Sequence, residues 1–123
     1  MGWIQYPTKA TIKQGLKDAD PGAAEAARVL ADLVLAHLER RDAAEAVASM
    51  LYSALTRAAG KQAGPEGAAN RFDLLVLAKV HGETIADLAT AMVVFVSREQ
   101  EGEHIDGAAL HRQISGQIAR LVA

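Results

Sequence analysis

Cysteine is absent from this chain, so the protein can have neither disulfide bonds nor a thiol nucleophile. Aromatic residues are few: one tryptophan, two tyrosines and two phenylalanines. The formal net charge of -2 gives no broad positive field for nucleic acid, so any contact with DNA would have to be local. The core of the protein must therefore come from aliphatic and small residues.

Two kinds of apolar segment are missing as well. The stretch MGWIQYPTKATIKQG has no apolar run of the length found in secretory signals. The most apolar stretch, residues 72–96, is interrupted by charged residues and a glycine, whereas a membrane-spanning helix needs about 20 predominantly apolar residues. We therefore expect a cytoplasmic protein without a membrane span.

Alanine is the residue that this chain has in excess, at roughly a fifth of all positions. It is the strongest helix former, and it occurs here where strand formers would otherwise stand. The composition predicts an all-α protein, and the length of 123 residues predicts a single domain over 1–123, a bundle of five to six short helices. Residues 1–7 are expected to form an N-terminal lead.

Two amphipathic helices are predicted before residue 40. The first covers about residues 8–17. Asp20 and Pro21 form a typical helix start, because aspartate caps free backbone amides and proline suits the first helical position. The second helix runs from there to about Glu39, and its apolar residues recur at intervals of three and four along one stripe: Ala23, Ala27, Leu30, Val34 and Leu38.

A third helix follows after a short charged link. Asp42 with Glu45 three residues later resembles a capping box, and Gly60 suits the position just after a helix end. The second and third helices are therefore expected to form a hairpin. Residues 60–70 contain three glycines and a proline, which predicts a flexible loop between two helical halves.

The second half of the chain predicts three more helices. Asn70 can cap a short fourth helix over 71–80, which Gly82 is expected to end. Thr84 then begins a fifth helix that reaches about Gln100. After an acidic link, Asp106 can cap the last helix.

Residues 84–100, TIADLATAMVVFVSREQ, allow two interpretations. The first part has the small and apolar residues of a helix-turn-helix, and Ser97 could cap its second helix. However, the turn would fall on a segment with three valines and no glycine, and glutamates surround Arg98 and Gln100. The apolar residues also fit one continuous helix that is buried or faces a partner, which is the interpretation we prefer.

Catalytic and metal-binding patterns are not visible in the sequence. Ser115 lacks the strained elbow of a hydrolase, and the glycines do not match a phosphate loop. Glu101 and His104 have the Glu-x-x-His spacing of di-iron bundles, but the required second motif is absent. We treat His104 and His111 as lone surface histidines. We therefore expect no enzyme activity, no metal and no cofactor.

Eight residues are candidates for binding a partner. Trp3, Ile4 and Tyr6 gather apolar side chains of a type common in interface hot spots, although this segment could instead fold back onto the first helix. Lysines at intervals of four form one stripe on the first helix, and the fifth helix has an unusually wide apolar surface. The other five candidates are Lys9, Lys13, Lys17, Met92 and Phe95.

These patterns favour a non-enzymatic protein-protein interaction module. We expect a regulator or inhibitor that binds a larger protein such as a transcription factor or an assembly. Because two neighbouring helices are apolar on most sides, we also expect a homodimer, with a compact monomer as the alternative. The alternative function is a DNA-binding transcriptional regulator that uses a degenerate helix-turn-helix over 84–100.

Overall fold

The computed structural model describes residues 8–40, 43–63, 71–101 and 105–123, which form five α-helices and no β-strand. The prediction of an all-α bundle is therefore confirmed. The helices are α1 (Lys9–Asp18), α2 (Pro21–Arg40), α3 (Ala43–Ala63), α4 (Arg71–Glu101) and α5 (Gly107–Val122).

Two of the predicted helix starts are confirmed in atomic detail. The Asp20 carboxylate accepts a hydrogen bond of 2.9 Å from the backbone N–H of Gly22, and α2 begins at Pro21. The Asp106 carboxylate accepts one of 3.1 Å from the backbone N–H of Ala109, in the first turn of α5. Each bond satisfies an amide that has no partner within its own helix.

The fourth and fifth predicted helices are in fact one helix, so the predicted break at Gly82 and the restart at Thr84 are wrong. The helix α4 runs without interruption for 31 residues. Gly82 is buried, and a Cβ atom built on it would lie only 2.8 Å from Cγ2 of Ile118 on α5. Gly82 therefore allows α4 and α5 to pack closely, and it does not end a helix.

The end of the third helix also differs from the prediction. Gly60 lies inside α3, which continues to Ala63, so the first four residues of the predicted 60–70 loop are helical. The rest of that loop lies outside the described residues, as do the predicted caps Asp42 and Asn70. A glycine in a helix costs only about 1 kcal/mol relative to alanine, which the packing of the helix can offset.

The helix α4 is the centre of the bundle, because it contacts each of the other four helices. The helices α2 and α3 also pack on each other, as the predicted hairpin requires, and α5 packs on α3 and α4. The largest fully buried apolar side chains come from α2, α3, α4 and α5: Leu30, Leu51, Leu55, Ile85, Leu88, Ile114, Val34 and Val93. The other helices of the same chain thus bury most of the apolar surface of α4.

Within the described residues, one segment is long and apolar enough to cross a membrane when judged by length and composition alone. This segment is Leu74–Glu99 of α4, and 56% of its most apolar window is buried inside the bundle. Its apolar composition therefore matches its place at the centre of the core.

Candidate functional site

An open cleft lies where α1, α2 and the C-terminal part of α4 meet, with a volume of about 280 Å³. Its floor is apolar, and we call the following residues the cleft floor: Ile12, Ala31, Leu35, Met92, Phe95 and Val96. Four exposed charged residues surround this floor, and we call them the cleft rim: Lys9, Lys13, Arg28 and Asp32. The cleft is thus an apolar surface with three cations and one anion at its edge.

Helical spacing explains why these residues meet. Side chains three or four positions apart lie on one side of a helix. On α1 this brings Ile12 between Lys9 and Lys13, and on α4 it aligns Met92 with Phe95 and Val96. The helix α2 contributes a row of four residues with the same spacing: Arg28, Ala31, Asp32 and Leu35.

The start of α1 is fixed at the edge of the cleft. The Thr8 hydroxyl accepts a hydrogen bond of 3.1 Å from the backbone N–H of Thr11, and the backbone of Thr8 itself is extended. This cap satisfies one of the free amides in the first turn of α1. That turn includes Lys9 and comes just before Ile12. The cap therefore orients the two residues through which α1 enters the cleft.

The charges on the rim are only partly balanced. An ion pair of 3.6 Å joins Nη1 of Arg28 to Oε2 of Glu25, with half of the arginine side chain exposed. Among the ion pairs of the described residues, none includes Lys9 or Lys13. Because both ammonium groups are exposed, they are available for an anionic partner at little cost in desolvation.

The structure places four of the eight predicted binding residues together in this cleft: Lys9, Lys13, Met92 and Phe95. Lys17 is exposed on α1 but does not line the cleft. The predicted residues Trp3, Ile4 and Tyr6 lie outside the described residues.

Sequence reasoning missed the contribution of α2 to the cleft. Arg28, Asp32 and Leu35 were not candidates, because the stripe that identified α2 faces the core. The available signal was the pair Ala31 and Leu35, which widens the apolar surface of this helix beyond that stripe. A second apolar row on a helix is a signal that could have revealed this wall.

A second region, between α4 and α5, shows that the interpretation of His111 as a lone surface histidine is wrong. Its Nε2 atom lies 2.7 Å from Oδ1 of Asp87, and both side chains are about four-fifths buried. Because 24 positions separate the two residues, no local pattern could predict the pair. The other histidine interpreted in this way, His104, lies outside the described residues.

Asp87, His111 and Ser115 have the residue types of a hydrolytic triad, and the last two are one helical turn apart. However, Oγ of Ser115 is buried and has no hydrogen-bond partner among the described residues. A nucleophilic serine needs a hydrogen bond to its base and access to substrate. This set has neither, and among the described residues no cluster of potential metal ligands is found.

Comparisons of the chain with protein-family models, with curated proteins and with solved structures give no match.

Proposed function

We propose that this protein is a non-enzymatic protein-interaction module, and that the cleft between α1, α2 and α4 is its docking surface. It would act as a regulator or inhibitor by holding a larger protein partner. The observation that carries this proposal is the convergence of Lys9 and Lys13 with Met92 and Phe95, about 80 positions away in the chain, around one open apolar floor.

The chemistry of the cleft supports a docking role. Protein interfaces combine an apolar centre, which supplies affinity, with a polar rim, which orients the partner. The cleft floor and the cleft rim have this arrangement. Pockets for small molecules usually enclose about 300–1,000 Å³ and bury most of the ligand. The open cleft, at about 280 Å³, is better suited to a few apolar side chains of a partner.

Capture from native host lysate tests the proposal, with tagged wild type compared with Phe95→Asp and Lys13→Glu. The first variant puts a charge on the cleft floor, and the second reverses one on the cleft rim. We expect a stoichiometric protein partner that survives nuclease and is reduced at least about tenfold by Phe95→Asp, because burial of an unpaired charge is costly.

The matched control is Arg112→Glu, which makes the same charge reversal at an exposed position of α5 outside the cleft. Circular dichroism must show that every variant is folded. Capture that is equal in wild type and folded Phe95→Asp would contradict the proposal. Capture that disappears with nuclease would instead support DNA binding through the exposed lysines of α1, without the predicted helix-turn-helix over 84–100, because α4 is one continuous helix there.

A homodimer remains part of the proposal. Most of α4 is covered within one chain, but Val76 and Val80 on its N-terminal part are exposed, the latter by 65%. These two residues are one turn apart and form apolar surface that a second copy could bury. Light scattering during size exclusion gives the mass directly, and Val80→Glu should shift a dimer of this kind to monomer.

A further inference from the structure

We infer that the cleft binds two turns of an acidic amphipathic helix from another protein. This inference rests on the proposed function and names the chemistry of the partner. Three observations support it: the length of the row on α2, the apolar cleft floor and the excess of cations on the cleft rim.

The length of the cleft matches a short helical segment. Its wall on α2 runs from Arg28 to Leu35, seven positions that rise about 10 Å. A partner helix lying along this wall would present apolar side chains at one position and at the positions four and seven further on. Helices that bind in grooves commonly use anchors with this spacing.

The charge of the cleft rim selects the partner. Lys9 and Lys13 lie on the α1 side of the floor and have no ion pair among the described residues. On the α2 side, Arg28 is paired with Glu25 and Asp32 is an anion, so the positive charge of the rim is concentrated on α1. Glutamate or aspartate beside the apolar anchors would meet these cations, whereas lysine or arginine there would be repelled. The inferred helix therefore carries acids on the side of its apolar face that meets Lys9 and Lys13.

Two other occupants fit the charge less well. The lead at residues 1–7 has apolar side chains for the floor but no charged side chain for the rim cations. The exposed Val76 and Val80 of a second copy share their helix side with exposed Lys79 and Glu83, whose charges cancel, so this surface offers the rim cations no net negative charge. An acidic helix is the occupant that satisfies both the floor and the rim.

The test uses two fluorescein-labelled synthetic peptides of about 14 residues, long enough for partial helix. Both have leucines separated by four and three positions on an alanine background. One has glutamates beside the leucines, and the other has lysines at the same positions. Fluorescence anisotropy measures the binding of each peptide to the full chain at low and high salt.

We expect the acidic peptide to bind at least about tenfold more tightly than the basic one at low salt, with a smaller ratio at high salt. Lys13→Glu should weaken the acidic peptide about fivefold, whereas Arg112→Glu should leave it unchanged. Phe95→Ala should weaken binding at both salt concentrations, since its contribution is apolar.

Several results would overturn the inference: equal binding of the two peptides, binding of neither, or an equal loss in Lys13→Glu and Arg112→Glu. A partner captured from lysate in the cleft-dependent way described above would then leave the proposed function intact. Occupation by the lead has its own signature, because Trp3 is the one tryptophan in the chain. A shift of its emission in Phe95→Ala without peptide would also overturn the inference.

Discussion

The two ends of α4 pack in different ways. Toward its N-terminal end, Gly82 allows Ile118 of α5 to lie almost against the helix backbone. Toward its C-terminal end, Met92 and Phe95 have large side chains that stay partly exposed beneath α1 and α2. The same helix thus forms a tight contact with α5 and an open cleft with α1 and α2.

This difference separates a part of α4 that contributes mainly to folding from a part that we propose as a docking surface. A glycine brings two helices together and removes space for a ligand, and the contact there contributes to folding. Large apolar side chains left partly uncovered contribute less to folding and remain available for a partner. Substitutions at the two ends of α4 should therefore have different effects.

The largest effect is expected from removing a core side chain. Ile85 is fully buried and belongs to the main core, so Ile85→Ala should lower the free energy of unfolding by about 3 kcal/mol or more. Met92→Ala, on the same helix but in the cleft floor, should lower it by about 1 kcal/mol. Urea denaturation followed by circular dichroism measures both. Equal losses would show that Met92 in the cleft contributes as much to stability as Ile85 in the core.

A smaller effect is expected from filling the contact between α4 and α5. Gly82→Ala should lower the free energy of unfolding by about 1–2 kcal/mol, although alanine is the better helix former. The new methyl group would lie 2.8 Å from Cγ2 of Ile118, which is held on a branched carbon and cannot easily move away. The same denaturation experiment measures the loss.

Two further variants make this test specific. Gly116→Ala adds the same methyl group at a helical glycine with nothing within 4 Å, so it should raise stability by about 0.5–1 kcal/mol. In the Gly82→Ala background, Ile118→Leu removes the crowded Cγ2 atom and should recover much of the loss. If Gly82→Ala is as stabilising as Gly116→Ala, the close contact does not constrain the fold.

The smallest expected effect is a gain in stability on α4 between its two ends. The Thr90 hydroxyl is fully buried and has no hydrogen-bond partner in the described part of the chain, so Thr90→Val should raise the free energy of unfolding by about 1 kcal/mol. The control is Thr56→Val, because the Thr56 hydroxyl is exposed and donates a hydrogen bond of 2.8 Å to the carbonyl of Tyr52. A loss of stability in Thr90→Val would reveal a partner for this hydroxyl.

The fold was predictable wherever the signal was local. Helical stripes and the caps Asp20 and Asp106 predicted the helices and two of their starts. Gly60 and Gly82 misled the prediction because a glycine has the same local meaning at a helix end and inside a helix. What distinguishes the two cases at Gly82 is Ile118, 36 positions away in the chain.

The sequence predicted four residues of the candidate site but not that they lie together in one cleft. The lysine stripe and the wide apolar surface of the fifth predicted helix identified four residues of the cleft. Their convergence depends on how α1 and α2 pack on α4, which no pattern along the chain encodes. Arg28 and Asp32 were missed for the same reason. Charged residues are common on the exposed side of a helix, and only the packing of neighbouring helices places these two at the edge of a cleft.

The alanine content of the core has a consequence for how this sequence can vary. In the described part of the chain, twelve of the 27 buried apolar residues are alanine, and the segment from Ala23 to Ala31 alone provides five of them. A substitution at a buried alanine can remove at most one methyl group, so it can hardly damage the core by shortening a side chain. Nearly every replacement adds volume to a space that is already filled. We therefore expect relatives of this chain to differ at its leucines and valines more readily than at its buried alanines.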